Sequence, residues 1–187
     1  MKAQAPVTTG GAIRVPFVVS VEPGTEYRIT GVQLAPGLVV SQADFDKQSQ
    51  IHPGDVADGT RVRANWEFLA RQYHNNGFMK AKIDPVAAYD RAKGTVSYTV
   101  SVEPGPQYKM GTLTIQNSAA DLKAAMLAAW KMPAGAVFNE GAVAAFYQTP
   151  GNPALQRTFA GANCVYKLAL NDDTLTVDVT LRVEKQE

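Results

Sequence analysis

The side chains best suited to chemistry in this sequence are few and stand apart from one another. The two histidines are His52 and His74, and neither has a cysteine or a second histidine at the spacing of a metal site. The single cysteine, Cys164, has no surrounding motif that would activate it as a nucleophile. The sequence therefore predicts no catalytic residue, no metal site and no cofactor.

Other groups that resemble chemical sites are interpreted as structural. Asp172 and Asp173 are adjacent carboxylates between two predicted strands, where aspartates commonly form turns. Trp66 and Trp130 lie at helical spacing from other apolar residues and are predicted to be core side chains. Cys164 cannot form an internal disulfide and is predicted to be a small buried apolar residue, so cysteine usage does not settle the compartment.

The composition is that of a globular protein without nucleic-acid binding. Of 187 residues, 45% are hydrophobic and 19% are charged, with a net charge of +1. The Lys and Arg residues are scattered, whereas nucleic-acid binding requires a concentrated basic face. No apolar run approaches the ~20 residues of a membrane span, and the start lacks a signal-peptide core. For an exported protein, we expect the targeting segment to be missing from this sequence.

An internal repeat organises the chain. The tetrapeptide Val-Glu-Pro-Gly at residues 21–24 recurs at residues 102–105, an offset of 105 − 24 = 81 residues. The same offset maps Tyr27 onto Tyr108. The repeat predicts two full modules, residues 25–105 and 106–187. Residues 1–24 are predicted to hold a tail and a strand at about 13–22, the last strand of a preceding, truncated module.

Hydrophobic periodicity predicts the same order of elements, β-α-α-β-β, in both modules. A change of apolar phase around Gly31, repeated around Gly111, predicts a bulge in each opening strand. Ser41 is predicted to cap the first helix. The predicted elements of the first module are strand 27–34, helices 42–49 and 60–75, a strand from 78 and strand 95–102. Those of the second are strand 107–115, helix 119–130 and strands 163–170 and 174–183.

The second helix of the second module departs from the plan. Its stretch, residues 139–159, is interrupted by Pro150 and Pro153, which cannot both lie inside one regular helix. We expect two short helices joined by a loop. The predicted fold class is α+β, with two tandem modules that each have a three-stranded mixed sheet covered on one face by two helices.

This pattern resembles POTRA (polypeptide-transport-associated) domains. The likeness rests on the order of elements, the opening strand that starts at Tyr27, the passage from Tyr73 to Gly77-Phe78, and the Val-Glu-Pro-Gly junction. Such domains occur in BamA-like and TamA-like outer-membrane assembly proteins and in two-partner secretion transporters. The resemblance implies a non-enzymatic periplasmic scaffold in a Gram-negative bacterium. It also implies membrane contact only through a C-terminal barrel that this sequence lacks, and partners that are unfolded outer-membrane proteins or accessory assembly subunits.

Sheet edges are the predicted binding sites, because an incoming strand can pair with their open backbone groups. In this family the strand after the helices is usually an edge. The residues predicted to form this protein-binding edge strand are Phe78, Met79, Lys80, Ala81, Lys82 and Ile83. Lys80 and Lys82 are interpreted as a solvated face, or alternatively as attracting acidic clients. The junction residues Glu103, Pro104 and Gly105 are interpreted either as a tight connector or as a semi-rigid inter-module hinge.

Two rival interpretations remain at this point. One is an envelope or division scaffold that has POTRA-like domains but no barrel, and a barrel-coding region downstream would decide against it. The other is an enzyme such as a small hydrolase, which requires a clustered polar pocket that the sequence does not show.

Overall fold

The structure is a computed structural model, and it describes residues 2–3, 6–9, 12–15, 17–20, 24–148 and 162–185. The N-terminal segment forms four short strands, β1 (Lys2–Ala3), β2 (Val7–Thr9), β3 (Ala12–Arg14) and β4 (Phe17–Val18). β1 pairs antiparallel with β4, and β2 pairs antiparallel with β3. The segment predicted as one strand at 13–22 thus holds parts of two short strands. Its assignment to a preceding module stays a prediction.

The first module is a three-stranded mixed sheet with two helices. Its elements are β5 (Arg28–Leu34), α1 (Gln42–Gln48), α2 (Gly59–His74), β6 (Lys82–Asp90) and β7 (Thr95–Glu103). The strand order is β5-β7-β6, with β5 parallel and β6 antiparallel to the central β7. The rims of the sheet are therefore β5 and β6.

Local residue choices set where the helices begin and end. The Ser41 side chain accepts a hydrogen bond from the Asp44 N–H (3.1 Å), which confirms the predicted N-cap of α1. Asp58 caps α2 by accepting from the N–H groups of Thr60 and Arg61. Beyond α2, Gly77 has φ +82°, a conformation that glycine adopts without strain.

The predicted bulges are confirmed in both opening strands. The register of β5 against β7 shifts between Ile29 and Gly31, and the pairing in the second module shifts beside Gly111. The bulge changes which side chains face the core, so the apolar phase changes there as well.

Apolar side chains between the sheet and the helices form the core of the first module. Phe45, Leu69, Val96 and Val100 are at most 1% exposed, and each large apolar side chain that is buried stabilises the fold by about 1.5–3 kcal/mol. The predicted core residue Trp66 is partly buried and packs edge-on against Tyr98, with ring centroids 5.5 Å apart. This core confirms that one face of the sheet is covered.

The second module repeats this architecture. Its elements are β8 (Lys109–Gln116), α3 (Ala120–Ala129), α4 (Glu140–Gln148), β9 (Ala162–Asn171) and β10 (Thr176–Lys185). The strand order is β8-β10-β9, again with one parallel and one antiparallel pairing. The predicted α+β fold of two βααββ modules is confirmed.

Two predictions for the second module fall outside the described residues. α4 ends at Gln148, and the expected second short helix lies within residues 149–161. Cys164 lies on β9 opposite Val183, but its side chain is outside the described part of the chain, so its predicted burial stays a prediction. Trp130 follows α3, is partly buried, and packs edge-on against Phe146 at 5.3 Å.

Candidate protein-binding rims and the module junction

A loop closes the first half of the β5 rim. The Ile29 N–H donates to the Asp55 carbonyl oxygen (2.8 Å), and the Gly54 N–H donates to the Ile29 carbonyl oxygen (2.8 Å). A β-bridge between Arg28 and Val56 continues this pairing. The outward backbone groups of this half are thus already hydrogen-bonded, and an added strand has nothing to pair with there.

The side chain of Gln42 closes the second half of the β5 rim. Its Oε1 accepts from the Leu34 N–H (2.8 Å), and its Nε2 donates to the Val32 carbonyl oxygen (3.0 Å). One carboxamide thus offers the donor and the acceptor that a neighbouring peptide group would offer. The side chain takes the place of a neighbouring strand at these two groups, and an added strand could pair with them only by displacing Gln42.

The β6 rim, in contrast, is open. Within residues 24–148 and 162–185, no loop and no side chain is hydrogen-bonded to the backbone of residues 83–89 on the side away from β7. Pro85 pairs with Val100, whose carbonyl oxygen accepts from the Ala35 N–H (2.9 Å) on the other side of β7. Pro85 and Val100 therefore form a non-hydrogen-bonded pair, and the Pro85 backbone faces outward.

The position of Pro85 fixes which amides of β6 are available. Because backbone direction alternates along an antiparallel ladder, Ile83, Ala87 and Tyr89 also direct their N–H and C=O groups outward. Pro85 contributes a carbonyl but has no N–H. The open rim of the first module therefore has three donors and is interrupted in its middle.

The predicted binding strand is misplaced by four residues. Its first four residues, 78–81, form a turn instead of a strand, and β6 begins at Lys82. The Phe78 N–H donates to the Tyr73 carbonyl oxygen (3.0 Å), and the Ala81 N–H donates to the Phe78 carbonyl oxygen (3.1 Å). These bonds extend the end of α2 and override the alternating pattern. Only Lys82 and Ile83 of the predicted set lie on the rim, although the strand after the helices is an edge as predicted.

The turn that follows α2, residues 75–81, contacts the second module, and we call it the helix-end turn. Backbone and amide groups from both modules hydrogen-bond here. The Tyr108 N–H donates to Gly77 O (2.8 Å), the Gly141 N–H donates to Asn75 Oδ1 (2.8 Å), and Gln107 Nε2 donates to Asn76 O (2.9 Å). The end of α2 is thus held by the opening strand and by the first turn of α4.

Charged groups reinforce this contact. Lys80 Nζ lies 2.5 Å from Asp172 Oδ2, and the Tyr108 hydroxyl donates to Asp172 Oδ1 (2.6 Å). Hydrogen bonds from Lys80 and then Tyr108 lower the pKa of the Asp172 carboxyl, and the bond to Asp172 raises the pKa of Lys80. His74 Nδ1 lies 2.7 Å from Glu140 Oε2. The second module therefore presents acidic groups to basic groups of the first.

Asp172 has a role that the sequence did not reveal. It lies in the turn predicted for it, where Asn171 Oδ1 accepts from the N–H groups of Asp173 and Thr174. However, its side chain also binds Lys80, 92 positions earlier in the chain. Local turn chemistry gives no signal for a partner so distant.

The helix-end turn fits closely into the second module. A Cβ atom on Gly77 would lie 2.6 Å from the Tyr108 carbonyl oxygen, so a larger residue could not fit without a shift. Met79 packs against the core of the second module, whose fully buried members include Met126 and Phe138. The first module thus places one of its side chains against its neighbour's core.

The predicted hinge lies beside this contact. Glu103 ends β7, and Pro104 and Gly105 connect it to β8. Gly105 has φ +68°, and a Cβ atom there would be 3.7 Å from Lys80 Cβ. The connector therefore runs against the helix-end turn, and the modules meet at two adjacent places.

Among the described residues there is no cluster of His, Cys, Asp or Glu that could hold a metal ion, and no helix there is long and apolar enough to cross a membrane. A cleft of about 340 Å³ lies beside the closed β5 rim, lined mainly by β5, α1 and the loop at Ile51–Pro53. Asp46 and His52 are the titratable groups of this lining.

The fold and its rims define a class of protein: a tandem of small α+β modules with one open sheet rim in the first module and a contact that joins the modules. Residues 27–105 match the POTRA family model, described as "Surface antigen variable number repeat". The first module thus matches the POTRA family along nearly its whole length.

Solved structures share the fold of both modules. The Haemophilus influenzae BamA POTRA3-5 crystal structure matches with 18% identity and a TM-score of 0.59, covering 88% of this chain and 69% of that one. BamA from Haemophilus ducreyi lacking POTRA domains 1-3 matches with 14% identity and a TM-score of 0.63, covering 86% of this chain and 30% of that one. POTRA domains are non-enzymatic, periplasmic parts of Gram-negative outer-membrane proteins, in agreement with the predicted location.

Proposed function

We propose that this chain is a periplasmic protein-binding scaffold of an outer-membrane protein assembly or translocation factor, and that it captures extended client or accessory chains by strand addition at the rim of β6. The observation that carries the proposal is the contrast between the two rims. β5 is closed by a loop and by Gln42, whereas the backbone of residues 83–89 faces outward without a partner in the described part of the chain.

The side chains along β6 suit an extended partner. Val86 and Tyr89 are both 59% exposed, and Tyr89 packs edge-on against Tyr27 at 5.0 Å. An incoming strand that pairs with β6 would place alternate side chains beside these groups. Val86 and Tyr89 lie on opposite faces of β6, so each face of an added strand would meet one exposed apolar group. An extended peptide with apolar side chains, as in a strand of an unfolded outer-membrane protein, fits this rim.

The rim supports weak binding. Each backbone hydrogen bond stabilises a complex by about 1 kcal/mol net, and the outward amides and carbonyls of β6 allow about six or seven at most. Ordering the incoming chain offsets part of this gain, so we expect a Kd of about 1 mM. Weak binding that tolerates many sequences suits a protein that must release its client.

The helix-end turn and the connector would fix the angle between the modules. Glu103, Pro104 and Gly105 then act as a tight connector and not as a semi-rigid hinge, because the turn beside them is bonded to the second module. A fixed angle would hold the rims of the two modules in constant relative positions.

An NMR titration of the full chain tests strand addition. The ligand is a blocked peptide of alternating valine and threonine. We expect its addition to shift the amides of Ile83, Ala87 and Tyr89 and to slow their exchange with solvent. The amides of Ile29 and Leu34 on the closed rim serve as internal controls and should not shift.

A second peptide of the same sequence, methylated at alternate backbone nitrogens, is the matched control. It keeps the side chains but lacks the donors that pair with β6, so it should not bind. Shifts confined to a helix face, or equal shifts from both peptides, would show that the rim is not the binding site.

A further inference from the structure

The surface that receives the helix-end turn in the second module has a copy in the first. Its backbone is built by the same hydrogen bonds at the repeat offset of 81 residues. The Ile29 N–H donates to the Asp55 carbonyl, and its counterpart, the Met110 N–H, donates to the Ala136 carbonyl. The Gly54 N–H donates to the Ile29 carbonyl, as the Gly135 N–H does to the Met110 carbonyl. The Ala57 N–H donates to the Tyr27 carbonyl, as the Phe138 N–H does to the Tyr108 carbonyl. We call this surface the receiving face of each module.

In the second module the receiving face is occupied. Gly77 lies on Tyr108 and Val137, the Tyr108 N–H donates to Gly77 O (2.8 Å), and Tyr108 is fully buried. Lys80 binds Asp172 at the border of this face. The contact therefore consists of a backbone bond, an apolar patch and an ion pair.

In the first module the equivalent residues are open. Val56, the counterpart of Val137, is 40% exposed, and Tyr27, the counterpart of Tyr108, is half-buried. No residue within 24–148 or 162–185 accepts a hydrogen bond from the Tyr27 N–H. The neighbouring Tyr89 is 59% exposed. The backbone donor and the apolar patch of the occupied face are thus present and uncovered.

One border position of the receiving face carries opposite charge in the two modules. In the second module Glu140 and Asp172 meet His74 and Lys80. In the first module the same positions hold Gly59 (140 − 81) and Arg91 (172 − 81). Arg91 is exposed and forms no ion pair with the described residues. A partner for this face needs an acidic group where this chain has Lys80.

We propose that the receiving face of the first module, formed by Tyr27, Val56 and Arg91, binds the helix-end turn of another POTRA-like module that has an acidic residue at the position of Lys80. The backbone carbonyl of that turn accepts from the Tyr27 N–H, its glycine lies on Val56, and its carboxylate pairs with Arg91. A second copy of this chain does not fit, because its own turn is already held by its second module and its Lys80 would repel Arg91. The proposal does not rest on client capture at β6, although Tyr89 borders both surfaces.

A three-module chain tests the proposal. Residues 1–105 are placed before a complete copy of residues 25–187, so that Gly105 precedes Thr25 as Gly24 does in the natural sequence. Three versions of this chain are compared. The first has Lys80→Glu in the first copy, and the second keeps Lys80. The third combines Lys80→Glu in the first copy with Arg91→Glu in the second copy. Spin labels on Thr99→Cys of both copies, in a Cys164→Ser background, report the distance between the first two modules.

We expect a narrow distance distribution for the Lys80→Glu version and distributions at least about threefold broader for the other two, because undocked modules move independently. A label pair on Thr99 of the second copy and Thr180 of the last module (99 + 81) is the control. Its distribution should stay narrow in every version and shows that the complete copy is folded. A broad distribution in the Lys80→Glu version, or equal widths in all three versions, would overturn the proposal.

Discussion

Gly77 stands where the first module contacts the second, and two separate constraints act on it there. Its φ of +82° lies in the left-handed region, and a Cβ atom would be 2.6 Å from the Tyr108 carbonyl oxygen. The left-handed conformation costs a residue with a Cβ about 1–2 kcal/mol, and the close approach adds to that. Gly77→Ala is expected to lower the free energy of unfolding by more than 2 kcal/mol on this scale, measured by urea denaturation.

Gly37 separates the two constraints. It has φ +80°, but a Cβ atom there would contact nothing within 4 Å. Gly37→Ala should therefore lower the free energy of unfolding only by the cost of the left-handed conformation, about 1 kcal/mol. Equal losses of unfolding free energy in Gly77→Ala and Gly37→Ala would mean that the close approach to Tyr108 does not destabilise Gly77→Ala further.

If clients bind by the proposed strand addition, Pro85 limits how well they can pair with the open rim. Its backbone faces outward and it has no N–H, so alanine in its place would add a fourth donor to Ile83, Ala87 and Tyr89. One more hydrogen bond of about 1 kcal/mol tightens binding by about fivefold. We expect Pro85→Ala to lower the Kd for the valine–threonine peptide by about this factor in the NMR titration.

Pro53→Ala is the matched control, because Pro53 is an exposed turn residue remote from β6. It should leave the Kd unchanged. Unchanged binding in Pro85→Ala would place the peptide somewhere other than the outward backbone of β6. Proline on an open edge also discourages edge-to-edge aggregation, so Pro85→Ala is expected to aggregate more readily.

At the scale of elements, the parts of the fold set by local residues could be predicted from the sequence. The Ser41 cap and the bulges at Gly31 and Gly111 each follow from neighbouring residues. The start of β6 could not be predicted, because Met79 and Ala81 continue the alternation of the strand. The Met79 N–H donates to the Gly77 carbonyl and the Ala81 N–H to the Phe78 carbonyl, and with the packing of Met79 against the second module these bonds make them part of a turn instead.

Gln42 is the other element-scale feature that the sequence concealed. Its residue type suits an exposed helix surface, and only the tertiary arrangement places it against β5. Gln42→Ala removes both bonds to the rim and should destabilise the chain by about 1–2 kcal/mol. It also exposes the Leu34 N–H and the Val32 carbonyl, so the valine–threonine peptide should then shift the Leu34 amide.

Gln48→Ala is the control for this prediction. Gln48 lies on the same helix, is exposed, and forms no hydrogen bond to β5. Its substitution should change neither stability nor the Leu34 amide. A Leu34 amide that stays unaffected by peptide in Gln42→Ala would show that another feature keeps the β5 rim closed.

At the scale of the whole molecule, the contact between modules is expected to depend on pH. The pKa of Asp172 is lowered by Lys80 and Tyr108, so its contribution to stability is present above the ordinary value of 3.8 and is lost as the pH falls through the folded value. The pKa of Lys80 is raised above 10.5, so its contribution is present below 10.5 and is lost at higher pH. Asp172→Asn should therefore flatten the dependence of unfolding free energy on pH below about 4. Asp173→Asn, in the same turn, should keep the wild-type dependence of unfolding free energy on pH. Equal curves for wild type and Asp172→Asn would contradict the contribution assigned to Asp172.

The Met79 side chain crosses the boundary that the sequence repeat sets between the two modules. It belongs to the first module by position but packs against the core of the second. Met79→Ala should reduce amide protection against hydrogen exchange in β8 and β10 by about 1–3 kcal/mol, while residues of α1 keep theirs. Leu38→Ala, which removes a side chain packed against the first core alone, should have the opposite pattern. If Met79→Ala reduced protection only in the first module, its packing across the junction would have no energetic consequence, and the modules would be joined by polar contacts alone.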